Sequence, residues 1–313
     1  MLAPITDGLY AYAGNVGSSD KIAAFDLDGT LIRTVHGRFF KDENDWAFLP
    51  NRISTLKAYQ DNNYTLVIFS NQKYHGAKVG SAINRKNNML KGLLAEGLNP
   101  WVFVSTKDDV YRKPNIGMWD VFNQSYNERS NRVINKSSSF FVGDASGRPQ
   151  DHATTDIVFA GNVGLPFYPP EEMFPNNQVT IPGTQTMFIL VGMPGSGKTT
   201  YYQRNLAQKG YIHVNQDILK TQPKMLKAIE TALSSGQSVA VDATNPNSEK
   251  RRKYIMLAVK YQVPTLIIYL VSDGLGWNKL RTNPVPTVAY NMYFKNLVEP
   301  THEIDHVPVV QVF

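Results

Sequence analysis

Short apolar runs alternate with helix-like segments along the whole chain, and this alternation restricts the fold more than any other sequence feature. The apolar runs lie at residues 21–25, 65–69, 101–104 and 139–142 in the first half and at 187–191, 211–214, 238–241 and 265–271 in the second. Helix-like segments lie between them, at residues 53–59, 84–94, 199–208, 224–233 and 248–260. Strands that alternate with helices are typical of parallel sheets. The sequence therefore predicts an α/β protein with two parallel-sheet domains.

A proline-rich stretch at residues 165–183 separates the two series of predicted strands. Its composition is typical of a docked linker. The length of 313 residues also suits two domains, since one domain usually takes about 100 to 200 residues. We therefore expect a first domain at residues 1–182, including the linker, and a second at residues 183–313.

Composition excludes several classes of protein. The chain has no cysteine, so any metal must be bound by oxygen or imidazole. No apolar run approaches the length of about 18 residues that a membrane-spanning helix needs. The N-terminal residues lack the basic and then apolar pattern of a secretory signal. We expect an intracellular protein, nuclear or cytoplasmic, that is neither secreted nor inserted in a membrane.

The net charge of +6 lies entirely in residues 183–313, because residues 1–182 carry equal numbers of acidic and basic side chains. A basic half is compatible with a polyanionic partner such as nucleic acid. A solvated surface with a few additional lysines explains the charge equally well. Both interpretations also apply to the basic run at residues 250–253.

A first set of polar side chains follows the predicted strands of the first half. Asp26 and Asp28 come directly after the first apolar run, where parallel sheets place their ligands. Asp26 could attack phosphorus, and Asp28 could protonate the leaving oxygen and then activate water. Ser70 could donate a hydrogen bond, Lys113 could supply a cation, and Asp144 could bind Mg²⁺. Each of these three helpers alone is more often a helix cap, a solvated cation or a turn residue.

A second set begins with residues 192–199, which match the phosphate-binding P-loop pattern between a predicted strand and a predicted helix. Backbone amides of such a loop cradle phosphates, Lys198 reaches the outer phosphates and the Thr199 hydroxyl binds Mg²⁺. We expect ATP as the phosphate donor. The residues predicted to bind it are Gly192, Pro194, Gly195, Ser196, Gly197, Lys198, Thr199 and Thr200.

A kinase also needs a group that takes the proton from the acceptor hydroxyl. Asp217 follows a predicted strand and is our candidate, with a helix N-cap as the alternative role. Asp242 also ends a strand and resembles the acid that holds the metal in many P-loop enzymes. Arg281 is our candidate for a lid arginine that stabilises charge on the transferring phosphoryl group, although a single arginine there is more often a surface residue.

The first set resembles the haloacid dehalogenase superfamily of phosphohydrolases, whose first motif, Asp-x-Asp-Gly-Thr, stands at residues 26–30. The resemblance implies a Rossmann-type domain and a Mg²⁺ site that includes Asp26, Asp28 and Asp144. It also implies a second acid close to Asp144. Asp156 fits that role better than Asp151, but an insertion leaves both open.

The order of the two sets, phosphatase before kinase, resembles the bifunctional polynucleotide phosphatase/kinase family. The resemblance rests on residues 25–32, 67–72, 111–114, 117–120, 141–149, 192–199, 213–217 and 242–246. It implies a haloacid dehalogenase-like domain followed by a P-loop kinase domain. It also implies an enzyme that removes the 3′-phosphate of DNA, or alternatively RNA, and transfers the γ-phosphate of ATP to a 5′-hydroxyl. Such ends can be joined by a ligase, which implies strand-break repair.

Two residues depart from this family's pattern. Ser70 replaces an expected threonine and keeps the hydroxyl, whereas Gln216 replaces an expected arginine and removes a cation beside Asp217. The second change predicts weaker binding of the acceptor. The N-terminal residues before the first predicted strand, about 20, are too few for the phosphopeptide-binding domain of larger members, so we expect none. This compact form suits a virus or a simple eukaryote.

Two rival functions use the same motifs. A fusion of a small-molecule phosphatase with a nucleoside or sugar kinase is the nearest, but no segment between Asp28 and Ser70 is long enough for a large cap over small substrates. A nonenzymatic scaffold that binds nucleic-acid ends is the other. The intact Asp26, Lys113 and Lys198 argue against it.

Overall fold

The computed structural model describes residues 1–37, 40–73 and 78–312. The chain forms two compact units, Met1–Pro175 and Asn176–Phe313. The boundary falls before the predicted one at residue 182, because the segment between them packs on the second unit. Asn177 donates a hydrogen bond to the carbonyl oxygen of Gln311 at 2.7 Å, and Val179 and Ile181 pack against the second unit's core.

The first unit is built on a seven-stranded sheet. The strands described in this unit are β1 (Ala3–Thr6), β2 (Leu9–Tyr12), β3 (Ile22–Phe25), β4 (Ile32–Arg33), β5 (Ala47–Phe48), β6 (Thr65–Asn71), β7 (Trp101–Ser105), β8 (Phe140–Val142) and β9 (Phe167–Tyr168). The helices are α1 (Arg52–Asp61), α2 (Lys78–Ala95), α3 (Gly117–Ser130), α4 (Thr155–Val163) and α5 (Pro170–Met173), with a short 3-10 helix at Lys136–Ser138. The sheet order is β1-β2-β7-β6-β3-β8-β9, while β4 and β5 form a separate hairpin.

Both faces of the central strands of this sheet are buried. Ala23 and Phe25 of β3 face a core to which α2 contributes, and Ile22 and Ala24 face a core to which α3 and α4 contribute. Strands buried on both faces are continuously apolar, which is why the apolar runs predicted them. The strands β6, β3, β8 and β9 run parallel, as does β7 with β6, so their carboxyl ends meet at one edge.

Two parts of this sheet depart from the sequence prediction. The antiparallel hairpin β1–β2 was not predicted, because β1 is only four residues long, contains Pro4 and is exposed throughout, so it lacks the apolar run of a buried strand. The predicted linker contributes β9, whose Phe167 and Tyr168 pair with Phe141 and Val142 at the edge of the sheet. The flanking prolines are tolerated there because an edge strand needs fewer backbone donors.

The second unit has a five-stranded sheet in the order β11-β12-β10-β13-β14, and every neighbouring pair is parallel. Its strands are β10 (Met187–Val191), β11 (Ile212–Asn215), β12 (Val239–Asp242), β13 (Thr265–Leu270) and β14 (Val309–Val312). Its helices are α6 (Lys198–Asn205), α7 (Gln216–Leu219), α8 (Gln222–Ser234), α9 (Ser248–Lys260), α10 (Gly274–Asn278), α11 (Thr287–Asn296) and α12 (His302–Asp305), with a 3-10 helix at Ala207–Lys209. The predicted α/β class with two parallel sheets is confirmed. Across the described residues, no helix is both apolar and long enough to cross a bilayer.

Candidate active sites

The carboxyl edge of the first sheet carries a cluster of three carboxylates. Asp26 follows β3, Asp144 follows β8, and Asp156 lies in the first turn of α4. One oxygen from each lies within 4.8 Å of the others. Burial raises the pKa of Asp26 to about 7 against the opposing charge of Lys113, and burial also raises the pKa of Asp144. Three crowded carboxylates have more negative charge than one lysine offsets, so the cluster fits a hard divalent cation such as Mg²⁺.

Lys113 joins two members of this cluster. Its Nζ lies 2.6 Å from Asp26 Oδ1 and 2.7 Å from Asp156 Oδ1. Burial lowers the pKa of Lys113, but the charges of Asp156 and Asp26 outweigh burial and raise it above its ordinary value. The end of β6 fixes its backbone, because Asn71 Oδ1 accepts from Lys113 N and Asn71 Nδ2 donates to Lys113 O, both at 2.9 Å. Lys113 is therefore a fixed cation beside the predicted nucleophile.

Asp28 lies next to the cluster but outside it. Its side chain is not one of the three grouped carboxylates, so its role as a metal ligand stays a prediction. Its oxygens instead lie 2.7 and 2.9 Å from Lys86 Nζ, and Gln72 also donates to it. Gln72 Nε2 donates to Ser70 Oγ at 3.0 Å, which links the predicted donor Ser70 to the same network.

Lys86 is a site residue that the sequence analysis missed. It lies on α2 and is fully buried, between the buried positions Ile83 and Leu90. Burial lowers its pKa while the charge of Asp28 opposes that change. Its place in the apolar stripe of a helix could have identified Lys86 from the sequence, since a buried lysine needs an anionic partner.

The structure separates the two candidates for the second acid. Asp156 belongs to the cluster and accepts from the backbone N–H of Ala145 at 3.0 Å. Asp151 instead closes a turn, accepting from the backbone N–H groups of Ser146 and Arg148 and from the Arg148 side chain. The hydrogen bonds from Arg148 and Ser146 outweigh burial and hold the pKa of Asp151 below its usual value.

Gly29 allows the first motif to approach the cluster. Its φ is +88°, and a Cβ there would lie 2.3 Å from Asp144 Oδ2. A side chain at this position would displace a predicted metal ligand as well as strain the backbone.

The P-loop occupies the turn between β10 and α6, as predicted. Gly195 has a φ of +79°, and a Cβ on it would lie 2.3 Å from the carbonyl oxygen of Gly274. Lys198 Nζ donates to the carbonyl oxygens of Gly192 at 2.9 Å and Met193 at 2.7 Å. Burial lowers the pKa of Lys198 to about 8, against the charges of Asp242 and Asp217. The other predicted loop residues, Pro194, Ser196, Gly197 and Thr200, lie in the same turn or in the first turn of α6.

Asp242 is the centre of a polar network at the end of β12. Its Oδ2 accepts from Thr199 Oγ1 at 2.7 Å and from Asn215 Nδ2 at 2.9 Å, and His213 Nε2 lies 2.9 Å away. His213 stacks on Tyr202 with ring centroids 3.8 Å apart. The link between Thr199 and Asp242 fits a shared role in holding Mg²⁺ beside the P-loop.

Asp217 does not cap α7, so the alternative role is wrong. Asn215 caps the helix, since its Oδ1 accepts from the backbone N–H groups of Asp217 and Ile218 at 2.7 and 3.2 Å. The Asp217 side chain is exposed. Burial lowers the pKa of Lys198; the charge of Asp217 opposes that change and the charge of Arg281 adds to it.

The basic run at residues 250–253 does not form one surface. Arg251 is fully buried, with Nε and Nη2 each 2.8 Å from an oxygen of Asp305. Lys250 Nζ donates to Gln216 Oε1 at 2.8 Å, whereas Arg252 and Lys253 are exposed. Arg251 is therefore unavailable to a polyanion.

Comparisons with known proteins agree with this division into two sites. Residues 21–174 match the family model of polynucleotide kinase 3 phosphatase, and residues 187–224 match that of an AAA domain. A bifunctional polynucleotide phosphatase/kinase of Schizosaccharomyces pombe is 36% identical over 96% of this chain and 81% of its own length. A proposed bifunctional polynucleotide phosphatase/kinase of Acanthamoeba polyphaga mimivirus is 31% identical over 90% of this chain and 82% of its own length.

A further relative matches about half of this chain. The polynucleotide 3′-phosphatase ZDP of Arabidopsis thaliana is 37% identical over 54% of this chain and 26% of its own length. The Schizosaccharomyces pombe and mimivirus matches cover most of both chains, and they show that the chain belongs to the bifunctional polynucleotide phosphatase/kinase family.

Proposed function

We propose that this enzyme removes the 3′-phosphate of a DNA or RNA strand at the Asp26 site and phosphorylates a 5′-hydroxyl with ATP at the P-loop site. The proposal rests on two sets of contacts in one chain. Lys113 pairs with both Asp26 and Asp156. In the P-loop, Thr199 donates a hydrogen bond to Asp242. The products are ends that a ligase joins, which suits strand-break repair inside a cell.

In the phosphatase, an oxygen of Asp26 attacks phosphorus and the bond from phosphorus to the 3′-oxygen breaks. Asp28 gives a proton to the leaving oxygen and later takes one from the water that hydrolyses the aspartyl-phosphate. Lys86 and Gln72 orient Asp28, and Lys113 offsets phosphate charge. Asp26, Asp144 and Asp156 would hold Mg²⁺, which neutralises phosphate charge when bound.

In the kinase, Asp217 takes the proton of the 5′-hydroxyl, whose oxygen forms a bond to the γ-phosphorus of ATP. The bond from that phosphorus to the β-phosphate oxygen breaks, and ADP leaves. The loop amides and Lys198 bind the outer phosphates, and Arg281 offsets charge on the transferring group. Thr199 and Asp242 are the residues that would hold Mg²⁺ here.

A polymer end suits the phosphatase site better than a small molecule. Between Asp28 and the start of β6, the described residues form only the β4–β5 hairpin and α1. No large cap covers the carboxylate cluster in that part of the structure. This favours a strand end over the free nucleotides or sugar phosphates of the rival function.

The test is an end-group assay on DNA and RNA oligonucleotides that carry a 5′-hydroxyl and a 3′-phosphate. With ATP and Mg²⁺, we expect the 3′-phosphate to be lost and a 5′-phosphate to be gained. Faster turnover of free nucleotides or sugar phosphates would overturn the proposal. EDTA should stop both reactions, so full rates without divalent metal would contradict the two metal assignments.

A further inference from the structure

Lys250 is a half-buried cation with a neutral partner. It lies in the first turn of α9, and its Nζ donates to Gln216 Oε1 at 2.8 Å. Among the described residues, no carboxylate pairs with this ammonium group, although Arg251 and Lys260 of the same unit each pair with a carboxylate. Gln216 therefore orients the lysine without neutralising it.

Neither the surroundings nor the helix favours a positive charge here. Burial lowers the pKa of Lys250, and no opposing charge restores it. The N-terminal end of a helix carries partial positive charge, so a cation in the first turn is unfavourable by itself. An anion bound at this position would relieve both costs.

The position of Gln216 indicates which anion Lys250 would bind. Gln216 immediately precedes Asp217, the proposed base, and both lie at the start of α7. A strand whose 5′-hydroxyl reaches Asp217 carries its first phosphate one nucleotide further along. Gln216 itself offers that phosphate no charge, but the lysine it orients comes from α9 and supplies one.

We propose that Lys250, oriented by Gln216, binds the first phosphodiester of the acceptor strand during 5′-phosphorylation. This inference rests on the proposed kinase function and assigns the acceptor subsite within it. The interaction replaces the cation that is absent from position 216, so the predicted weakening of acceptor binding does not occur.

The test compares two acceptors that differ by one phosphodiester: a nucleoside and its 3′-methylphosphate, which a phosphomonoesterase does not cleave. We expect the wild-type enzyme to prefer the methylphosphate. In Lys250→Gln, the KM for the methylphosphate should rise about tenfold, since a hydrogen bond to a charged group is lost. The KM values for the nucleoside and for ATP should stay unchanged.

Three matched variants sharpen this test. Lys253→Gln removes an exposed lysine from the same helix and should leave every KM unchanged. Lys250→Arg should keep the preference. Adding Gln216→Arg to Lys250→Gln should restore it, because the cation returns to the same place from the other element.

Several results would overturn the inference. These are an unchanged KM in Lys250→Gln, an equal loss on both acceptors, or a loss confined to ATP, which would place the lysine on the donor phosphates. None of these results would contradict the proposed kinase function. If the wild-type enzyme phosphorylates no polynucleotide or nucleoside, the proposed function fails and this inference fails with it.

Discussion

Asp28 depends on a lysine that lies on a helix rather than at a strand end. Lys86 Nζ approaches both oxygens of Asp28 at 2.7 and 2.9 Å, and no part of Lys86 is exposed. A proton donor and acceptor must keep its orientation through two chemical steps, and a displacement of about 1 Å can reduce a rate about 100-fold. Lys86 is thus a positioning residue for the phosphatase.

Lys86→Met removes this ion pair with little change in side-chain length. The phosphatase kcat should fall about 10- to 100-fold per folded enzyme, while the kinase kcat should stay unchanged. Steady-state assays of both activities check this, with Lys91→Met on the exposed face of α2 as the control. An equal loss of both activities would show that Lys86 acts only on stability.

Asp217 is the second residue whose role can be tested singly. Asp217→Asn keeps the shape of the side chain but cannot accept the proton, so the kinase kcat should fall by about 10² to 10⁴. The lower end is expected because a loose transition state needs less help from a base. ATP binding and the melting temperature should hold, since Asn215 and not Asp217 caps α7. An unchanged kcat would transfer the base role to Asp242.

At the scale of the element, α9 shows both the reach and the limit of sequence reasoning. Its predicted bounds, residues 248–260, agree with the structure. The burial of Arg251 within the basic run was not predictable, because its partner, Asp305, lies 54 residues away. Arg251 also donates to the backbone carbonyl oxygens of Pro246 and Val298, so it joins α9 to two other segments.

Arg251→Met therefore leaves the Asp305 carboxylate buried without its partner. Breaking such a pair costs about 3 to 5 kcal/mol. Amide hydrogen exchange in β10 and β12 should report this loss in the second unit, with no change in the first. Arg252→Met, at the exposed neighbouring position, should stay within about 0.5 kcal/mol. Equal effects of the two variants would mean that Arg251 has no special structural role.

At the scale of the whole molecule, the two sites were largely predictable because each follows strand ends, and strand ends are marked by apolar runs. Asp26 directly follows β3 and Asp217 lies shortly after β11, while Lys113 and Lys198 lie in the segments that follow β7 and β10. The unpredicted contacts join residues on different elements: Lys86 with Asp28 across 58 residues and Lys250 with Gln216 across 34. These pairs form only when the helices pack against the sheets, and no local sequence pattern predicts that packing.

The central claim is that one chain holds two complete and separate phosphoryl-transfer sites, one in each compact unit. The most direct measurement follows both ends of one oligonucleotide with a 5′-hydroxyl and a 3′-phosphate, in the presence of ATP and Mg²⁺. Asp26→Asn should retain the 3′-phosphate and still gain a 5′-phosphate, while Lys198→Ala should do the reverse. If either variant remained folded and lost both activities, the two-site account would be contradicted.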